Sequence, residues 1–279
     1  MPPLAGIRVV TTALNVPGPA ACARLRALGA AITKVEPPDG DPLEGYSAAW
    51  YRALHEAIET VRADLKTEAG RATMAKLLER ADLLLTAQRP SALARMGLDP
   101  AALARFPRLC HVAITGHDGD HADTPGHDLT YLAACGLVVP PNLPATLFAD
   151  MAGAERAAGT AMALLLGRER GGERAATVAL ADVAATLAQP LHAGLTRRGA
   201  IVGGGFAGYH LYAARTGWIA VAALEPRFAR RLADKFGLAE LSVKALREVF
   251  AAHDADYWEA WAAEHDLPIV ALRHVPPVS

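Results

Sequence analysis

The chain has 279 residues, 52% of them hydrophobic and 20% charged, with a formal net charge of −1. That is enough apolar material for one large domain or two modest ones, and the near-neutral balance gives no electrostatic case for nucleic acid as a partner. An anionic ligand would have to be held by local basic groups or helix N-termini.

In chain order, "GIRVVTTAL" from Gly6 reads as a buried strand, β-branched and nearly unbroken. "NVPGP" makes a turn, "AACARLRALGA" a helix closed by Gly29, and "AITKVEP" a second strand stopped by Pro37 and Pro38. Strand, turn, helix and strand predict a βαβ unit on a parallel sheet. The turn lacks G-x-G-x-x-G spacing, so it is not a dinucleotide fingerprint. The alternation continues through "VRADLKT", "EAGRATMAKLLERA", "DLLLTA", "DPAALARF" with Asp99 as N-cap, and the strand "LCHVAIT". "LTYLAACGLV" and the alanine-rich "AGAERAAGTAMALLLGRER" read as helices, the second packed tightly at a core.

The texture changes near Gly194, where "GLTRRGAIVGGGFAGYH" resembles a linker or mobile loop. "LYAARTGWIAVAALEP" then predicts a hairpin with Thr216 and Gly217 between its strands. Helices in "RFARRLADKFG", "SVKALREVFAAH" and "DYWEAWAAEHD" follow, and "PIVALRHV" reads as a last short strand. The expected architecture is α/β: a Rossmann-like parallel-sheet large domain over residues 1–194 and a smaller α+β domain over 195–279. Three scattered cysteines, Cys22, Cys110 and Cys135, show neither metal spacing nor a disulfide framework and fit a reduced, cytoplasmic setting. "MPPLAGIRVV" shows no secretory pattern, and the longest apolar stretch, "AAGTAMALLLG", is too short to cross a bilayer, so no membrane partner is expected.

Three residues stand out for chemistry. His127, in "TPGHDLTYLAACGLV", lies at the entrance to an apolar run, either as a hydrogen-bonded residue at a helix start or as a base at a pocket mouth. Asp128 is adjacent in sequence, and adjacent helical residues do not face each other, so a carboxylate partner for His127 must come from elsewhere. Asp150, in "LPATLFADMAGAERAAG", reads taken alone as the N-cap of the helix after it; the same placement would set backbone N–H groups beside its carboxylate. Glu225 ends the apolar strand of "IAVAALEPRF", just before a proline. The stretch "CHVAITGHDGDHADTPGHD" gathers His111, His117, His121 and His127 with several aspartates, but matches no standard ligand spacing, so no metal is expected.

Taken together, "LAGIRVV", "NVPGPAACARLRALGAAITKVEPPDGDPL", "ADLKTEAGR", "ADLLLTAQRPSALARMGLD", "PGHDLTYLAACGL" and "AALEPRF" resemble, in order, family III CoA-transferases, a superfamily that includes α-methylacyl-CoA racemase. The resemblance runs from Leu4 to about Val275. "GHDLTYLA" and "ALEPRF" look more like the racemase branch than the acyl-swapping transferases. The resemblance implies the family III fold, an acyl-CoA substrate with coenzyme A as part of it, no further cofactor, and a homodimer of two interlocked chains. It also implies a site of His127, oriented by Glu225, on one face of the substrate and Asp150 on the other, moving a proton at the carbon beside the thioester. The enolate oxygen would be held by N–H groups of the helix following Asp150. Arg89 of the "RP" motif and Lys66 of "DLK" are the implied contacts to CoA. In the transferase alternative Asp150 is instead a nucleophile, passing through a mixed anhydride and an aspartyl-CoA thioester under a glycine-rich loop such as "GGGFAG". A non-catalytic acyl-CoA-binding protein or subunit is the third reading.

Three departures from the family pattern are visible. Ser91 follows "RP" where a glycine is usual, Gly116-His117-Asp118 begins an unusual polar loop, and the chain stops at "LPIVALRHVPPVS", where relatives continue back to the first domain.

Overall fold

Six short runs of β-branched and leucine residues form one all-parallel sheet in the computed structural model, which describes residues 1–273. They are β1 (Arg8–Thr11), β2 (Ala31–Glu36), β3 (Glu59–Arg62), β4 (Leu83–Thr86), β5 (Cys110–Thr115) and β6 (Ala175–Ala179). Their spatial order is β3-β2-β1-β4-β5-β6. The order reverses direction between β1 and β4, whose residues Val9 and Val10 lie in register with Leu83 and Leu84. In open α/β sheets, ligands bind beyond the carboxyl ends of the strands at such a reversal.

Both faces of the sheet are covered, which explains why the strands read as continuous apolar runs rather than alternating ones. Val9, Leu83 and Leu85 join one core with Leu25, Leu132 and the small residues of the helix Phe148–Arg168. Val10 and Leu84 point the other way, into a second core with Met74, Leu78, Leu93 and Leu98. In the Phe148–Arg168 helix the buried positions include Ala149, Gly153, Ala154, Ala157, Ala158 and Ala161. Small side chains let that helix lie close against Pro17–Ala27. The α/β reading is therefore what the structure shows. β6 and the helix Leu180–Leu187 were not legible as separate elements, because an alanine-rich sequence carries little period-2 or period-3.6 contrast.

The chain divides into two compact units, residues 1–188 and a second beginning at Gln189. The second unit has an antiparallel sheet of β7 (Tyr209–Ala213), β8 (Trp218–Ala222) and β9 (Ile269–Ala271), in the order β7-β8-β9. The predicted hairpin is present, with Ala213 opposite Trp218 and a four-residue connection, 214–217, that turns at Gly217 (φ +83°). Helices Pro226–Lys235, Val243–Phe250 and Ala255–Glu264 bury Leu232, Leu246, Phe250 and Trp258 against this sheet. The end of the last predicted strand, from His274 on, lies outside the described residues.

Candidate active site

The loops that follow β1, β4 and β5 meet at the carboxyl end of the sheet and enclose a cavity of about 230 Å³. From the β1 loop come Leu14 and Asn15; from the β4 loop Ala87, Gln88 and Arg89; from the β5 loop Gly116, Ala122, Thr124, Gly126 and His127. Tyr131 and Asp150 complete the polar wall. Gln88 ties two of these loops together. Its Oε1 accepts from the Thr12 hydroxyl at 2.8 Å, and its Nε2 donates to the Thr12 carbonyl at 2.5 Å. The cavity thus lies where the reversal of strand order separates the chain leaving β1 from the chain leaving β4.

His127 is the N-cap residue of the helix Asp128–Ala134 and is exposed at the cavity rim. Thr130 fixes its backbone: the hydroxyl accepts from the His127 amide at 3.0 Å and donates to the His127 carbonyl at 2.7 Å. The adjacent Asp128 points elsewhere, as adjacent helical residues must, and is buried.

Asp150 is half-buried, and it is not an N-cap. The helix Phe148–Arg168 starts before it, with Leu147 at the cap, so Asp150 lies inside the first turn. The N-cap reading is corrected by one long-range contact: Asp128 Oδ1 accepts the backbone N–H of Asp150 at 2.9 Å. A carboxylate 22 residues away therefore satisfies an N–H that helix initiation leaves without a partner. That amide is consequently not available to an oxyanion. The arrangement also places two carboxyl groups side by side. Burial, and next the Asp128 charge, push the Asp150 carboxyl up to about 7.

Tyr131, which the sequence reading passed over, is the third polar group in the cavity. It is buried among its neighbours, and burial together with the nearby Asp150 charge raises its phenol above the ordinary value. Two glycines make room for it. A Cβ on Gly116 would lie 2.4 Å from the Tyr131 hydroxyl, and one on Gly126 would lie 2.5 Å from the ring. The glycines of "TGHDG" and "TPGHD" thus let a tyrosine approach the backbone.

Of the implied CoA contacts, Arg89 lines the cavity, is exposed, and forms no ion pair among the described residues. Lys66 is exposed and is not part of the cavity wall; its backbone N–H binds Asp64 and its carbonyl binds Arg71. Glu225 lies in the second unit, exposed, as the N-cap residue of Pro226–Lys235, its carbonyl accepting from Phe228 and Ala229. The first unit therefore unites His127, Asp150 and Arg89 in one cavity, while Glu225 belongs to another unit. Ser91, which replaces the usual glycine, donates its hydroxyl to Asp123 Oδ1 at 2.7 Å, so two of the sequence departures bind each other.

The histidine-rich stretch does not converge on a point. His111 is largely buried in β5, accepts or donates at Thr86 Oγ1 (3.0 Å), and is lowered to about 4 by burial; His117 packs edge-on against Tyr131. Among the described residues the converging ligand atoms belong instead to Glu36, Asp41 and His55. The Lys34 ammonium already occupies that cluster, 3.0 Å from Glu36 Oε1, 2.5 Å from Asp41 Oδ2 and 2.7 Å from His55 Nε2. No helix among the described residues is long and apolar enough to cross a membrane.

Comparison with known proteins agrees with this architecture. The family model for CoA-transferase family III matches residues 4–278, and the chain belongs to that family. It is similar to the "Probable fatty acyl-CoA transferase Rv3272" of Mycobacterium tuberculosis, 34% identical over 206 residues covering 66% of this chain and 52% of the relative. A crystal structure of Rv3272 superposes with a TM-score of 0.83 at 27% identity, covering 99% of this chain and 84% of that one. The chain is also similar to cinnamoyl-CoA:phenyllactate CoA-transferase of Clostridium sporogenes, 33% identical over 63% of this chain and 48% of the relative. Human α-methylacyl-CoA racemase is a weaker match, 31% identical over 54% of this chain and 40% of the relative. The chain spans about half the length of the first two of these curated relatives.

Proposed function

We propose that this protein catalyses proton transfer at the carbon next to the thioester of an acyl-CoA, as in the racemase branch of the family. The observation that carries the reading is that Asp150, with its carboxyl pushed up to about 7, shares one cavity with the imidazole of His127. A group that titrates near neutrality can both take and return a proton, whereas an ordinary carboxylic acid is almost wholly ionised there and returns one poorly. Asp150 and His127, lining one cavity, suit removal of a weakly acidic α-proton by one group and reprotonation by the other. Glu225 keeps the catalytic part that the family resemblance implies, and Arg89 is assigned the binding of a CoA phosphate, since its guanidinium lines the cavity and has no ion-pair partner among the described residues. Lys66 keeps only a peripheral part in CoA binding, because it is absent from the cavity wall. Leu147, Phe148 and Met151, which flank Asp150 in sequence, are 38–47% exposed and supply apolar surface for a branched or fatty acyl group. The working form is a homodimer acting in the cytoplasm, with no cofactor beyond the CoA of the substrate.

A second reading is favoured by the names of the more similar relatives, which are CoA-transferases. There the Asp150 carboxylate attacks the thioester to give a mixed anhydride and CoA thiolate, the thiolate attacks the aspartyl carbonyl and releases the donor acid, and an acceptor carboxylate reverses these steps, leaving as its CoA thioester and freeing Asp150. One experiment separates the readings. The protein is incubated with a 2-methylacyl-CoA in heavy water, first without and then with free carboxylic acids. Deuterium at the α-carbon without acid, lost in His127→Ala and Asp150→Asn, supports proton transfer. No deuterium, with CoA passing to the added acid, supports the transferase. Neither reaction, with acyl-CoA still bound, leaves a binding protein.

A further inference from the structure

The cavity wall contributed by the β1 loop has an unusual backbone. Asn15 lies in it with φ +64°, a left-handed conformation that non-glycine residues rarely hold without help. The help comes from behind the cavity. Asp41 Oδ1 accepts the Asn15 N–H at 2.9 Å and the Leu43 N–H at 2.9 Å, while Asp41 Oδ2 lies 2.5 Å from the Lys34 ammonium. Asp41 therefore spends one oxygen on two backbone amides and the other on a buried cation.

Lys34 is in turn held by acceptors alone. Its ammonium carries three hydrogens and meets three acceptors, Glu36 Oε1, Asp41 Oδ2 and His55 Nε2. Because a lysine ammonium only donates, His55 Nε2 must be the lone-pair nitrogen, and Nδ1–H donates to the Tyr51 carbonyl at 2.7 Å. Tyr51 closes the set by donating its hydroxyl to Glu36 Oε1 at 2.8 Å. The side chains of Lys34, Glu36 and Asp41 are no more than 2% exposed, so solvent does not compete for these bonds. A divalent ion among Glu36, Asp41 and His55 would have to displace the ammonium, which rules against reading the cluster as a metal site.

We propose that Asp41 is a positioning residue for the acyl-CoA cavity: fixed by Lys34, it holds Asn15 in its left-handed conformation and so sets the shape of the β1 loop wall. Lys34, Glu36, His55 and Tyr51 form the frame that keeps Asp41 from turning. The placement explains why a charged cluster is buried at the end of β2, two strands from the β4 loop but one hydrogen bond from the cavity. The inference rests on the functional reading of the cavity only for its catalytic consequence; the pinning of Asn15 is a separate, measurable fact.

The test uses the full chain in two arms. In the first, backbone hydrogen exchange is followed across residues 12–19 in wild type, Asp41→Ala and Asp41→Asn. Asparagine keeps an oxygen for the Asn15 amide, and alanine does not. The Asn15 amide should be protected in wild type, exchange about tenfold or more faster in Asp41→Ala, and fall between the two in Asp41→Asn, which keeps an oxygen for Asn15 but turns an NH2 toward the Lys34 ammonium. Exchange at Asn15 in wild type as fast as in an open loop overturns the proposal, whether or not either variant folds. So does unchanged protection of Asn15 in a folded Asp41→Ala, since the Asp41 contact would then not be what holds it. In the second arm, α-deuterium incorporation is measured under the same conditions. Asp41→Ala should raise KM for the 2-methylacyl-CoA and lower kcat together, by about tenfold in kcat/KM, with partial recovery in Asp41→Asn. Unchanged kcat/KM in a folded Asp41→Ala overturns the positioning role. If wild type itself incorporates no deuterium, the functional reading has failed, and the exchange arm still decides the pinning.

Discussion

The first unit buries two clusters of carboxyl groups, and they differ in one respect. At the end of β2, Glu36 and Asp41 share the Lys34 ammonium. At the helix starts near the cavity, Asp128 and Asp150 have each other and form no ion pair with a cation among the described residues. The ammonium makes the first cluster a frame, because one positive charge sits between both carboxylates and its hydrogen bonds go to Glu36, Asp41 and His55 of the cluster. Without a cation, burial and like charge leave the second cluster's Asp150 near neutrality in its titration, so it is chemically responsive. A buried acid is thus structural or reactive according to whether a partner of opposite sign was built in with it.

The comparison can be broken at several points. The largest expected effect is on chemistry: Asp150→Asn should lower α-deuterium incorporation by about 10²- to 10⁴-fold, the range for loss of a general acid or base. Single-turnover rates with the isotopically labelled product read by mass spectrometry would check it. Next, Lys34→Met should cost about 3–5 kcal/mol in urea unfolding, because it strands two buried carboxylates. If that variant were as stable as wild type, the frame would not depend on its cation and the contrast would collapse.

A third effect is smaller and concerns pH. The Asp150 carboxyl is raised in the folded chain from an ordinary 3.8 to about 7, so the native state holds a proton the unfolded state has lost across that interval. This group's contribution is full below about pH 4 and is lost as pH rises through about 7. Wild type should therefore lose about 2 kcal/mol of stability relative to Asp150→Asn between pH 4 and 8, a figure reduced for partial solvent access. A constant difference across the range would mean that Asp150 titrates normally. The smallest effect should come from Asp128→Asn, which keeps the acceptor for the Asp150 amide and removes only the charge. The pH–rate limb belonging to Asp150 should move down, but not as far as an ordinary carboxylate, because burial is the larger cause.

Most of the alternation in the first 115 residues was legible because buried parallel strands are apolar and β-branched, but the strand expected in "VRADLKT" lies earlier, at Glu59–Arg62, and the short helices Pro42–Tyr46 and Ala48–Leu54 were not read. Asp99 shows the same locality: it was read as an N-cap and does accept from Ala101 and Ala102. β6 and the Leu180–Leu187 helix escaped because alanine satisfies both patterns equally. At the site, "GHD" and "FAD" could be marked as notable, yet each residue's surroundings could not. Tyr131 looked like one more aromatic in an apolar run. Only the two glycines stacked against it, Gly116 and Gly126, show that it was admitted to the cavity.

By itself, then, the sequence determined most of the strands and helices, the family, and the identity of the groups able to carry a proton. These depend on neighbours a few residues away or on side-chain chemistry, both of which a chain carries in every conformation. The tertiary structure decided which of those groups meet. It moved Asp150 from a cap into a helix by supplying Asp128 from 22 residues away, and it drew Lys34 and His55 together across 21. It also let Asp41 reach back to Asn15. Those pairings follow from strand order and burial, and burial is what turns a carboxyl of ordinary acidity into one that titrates near pH 7.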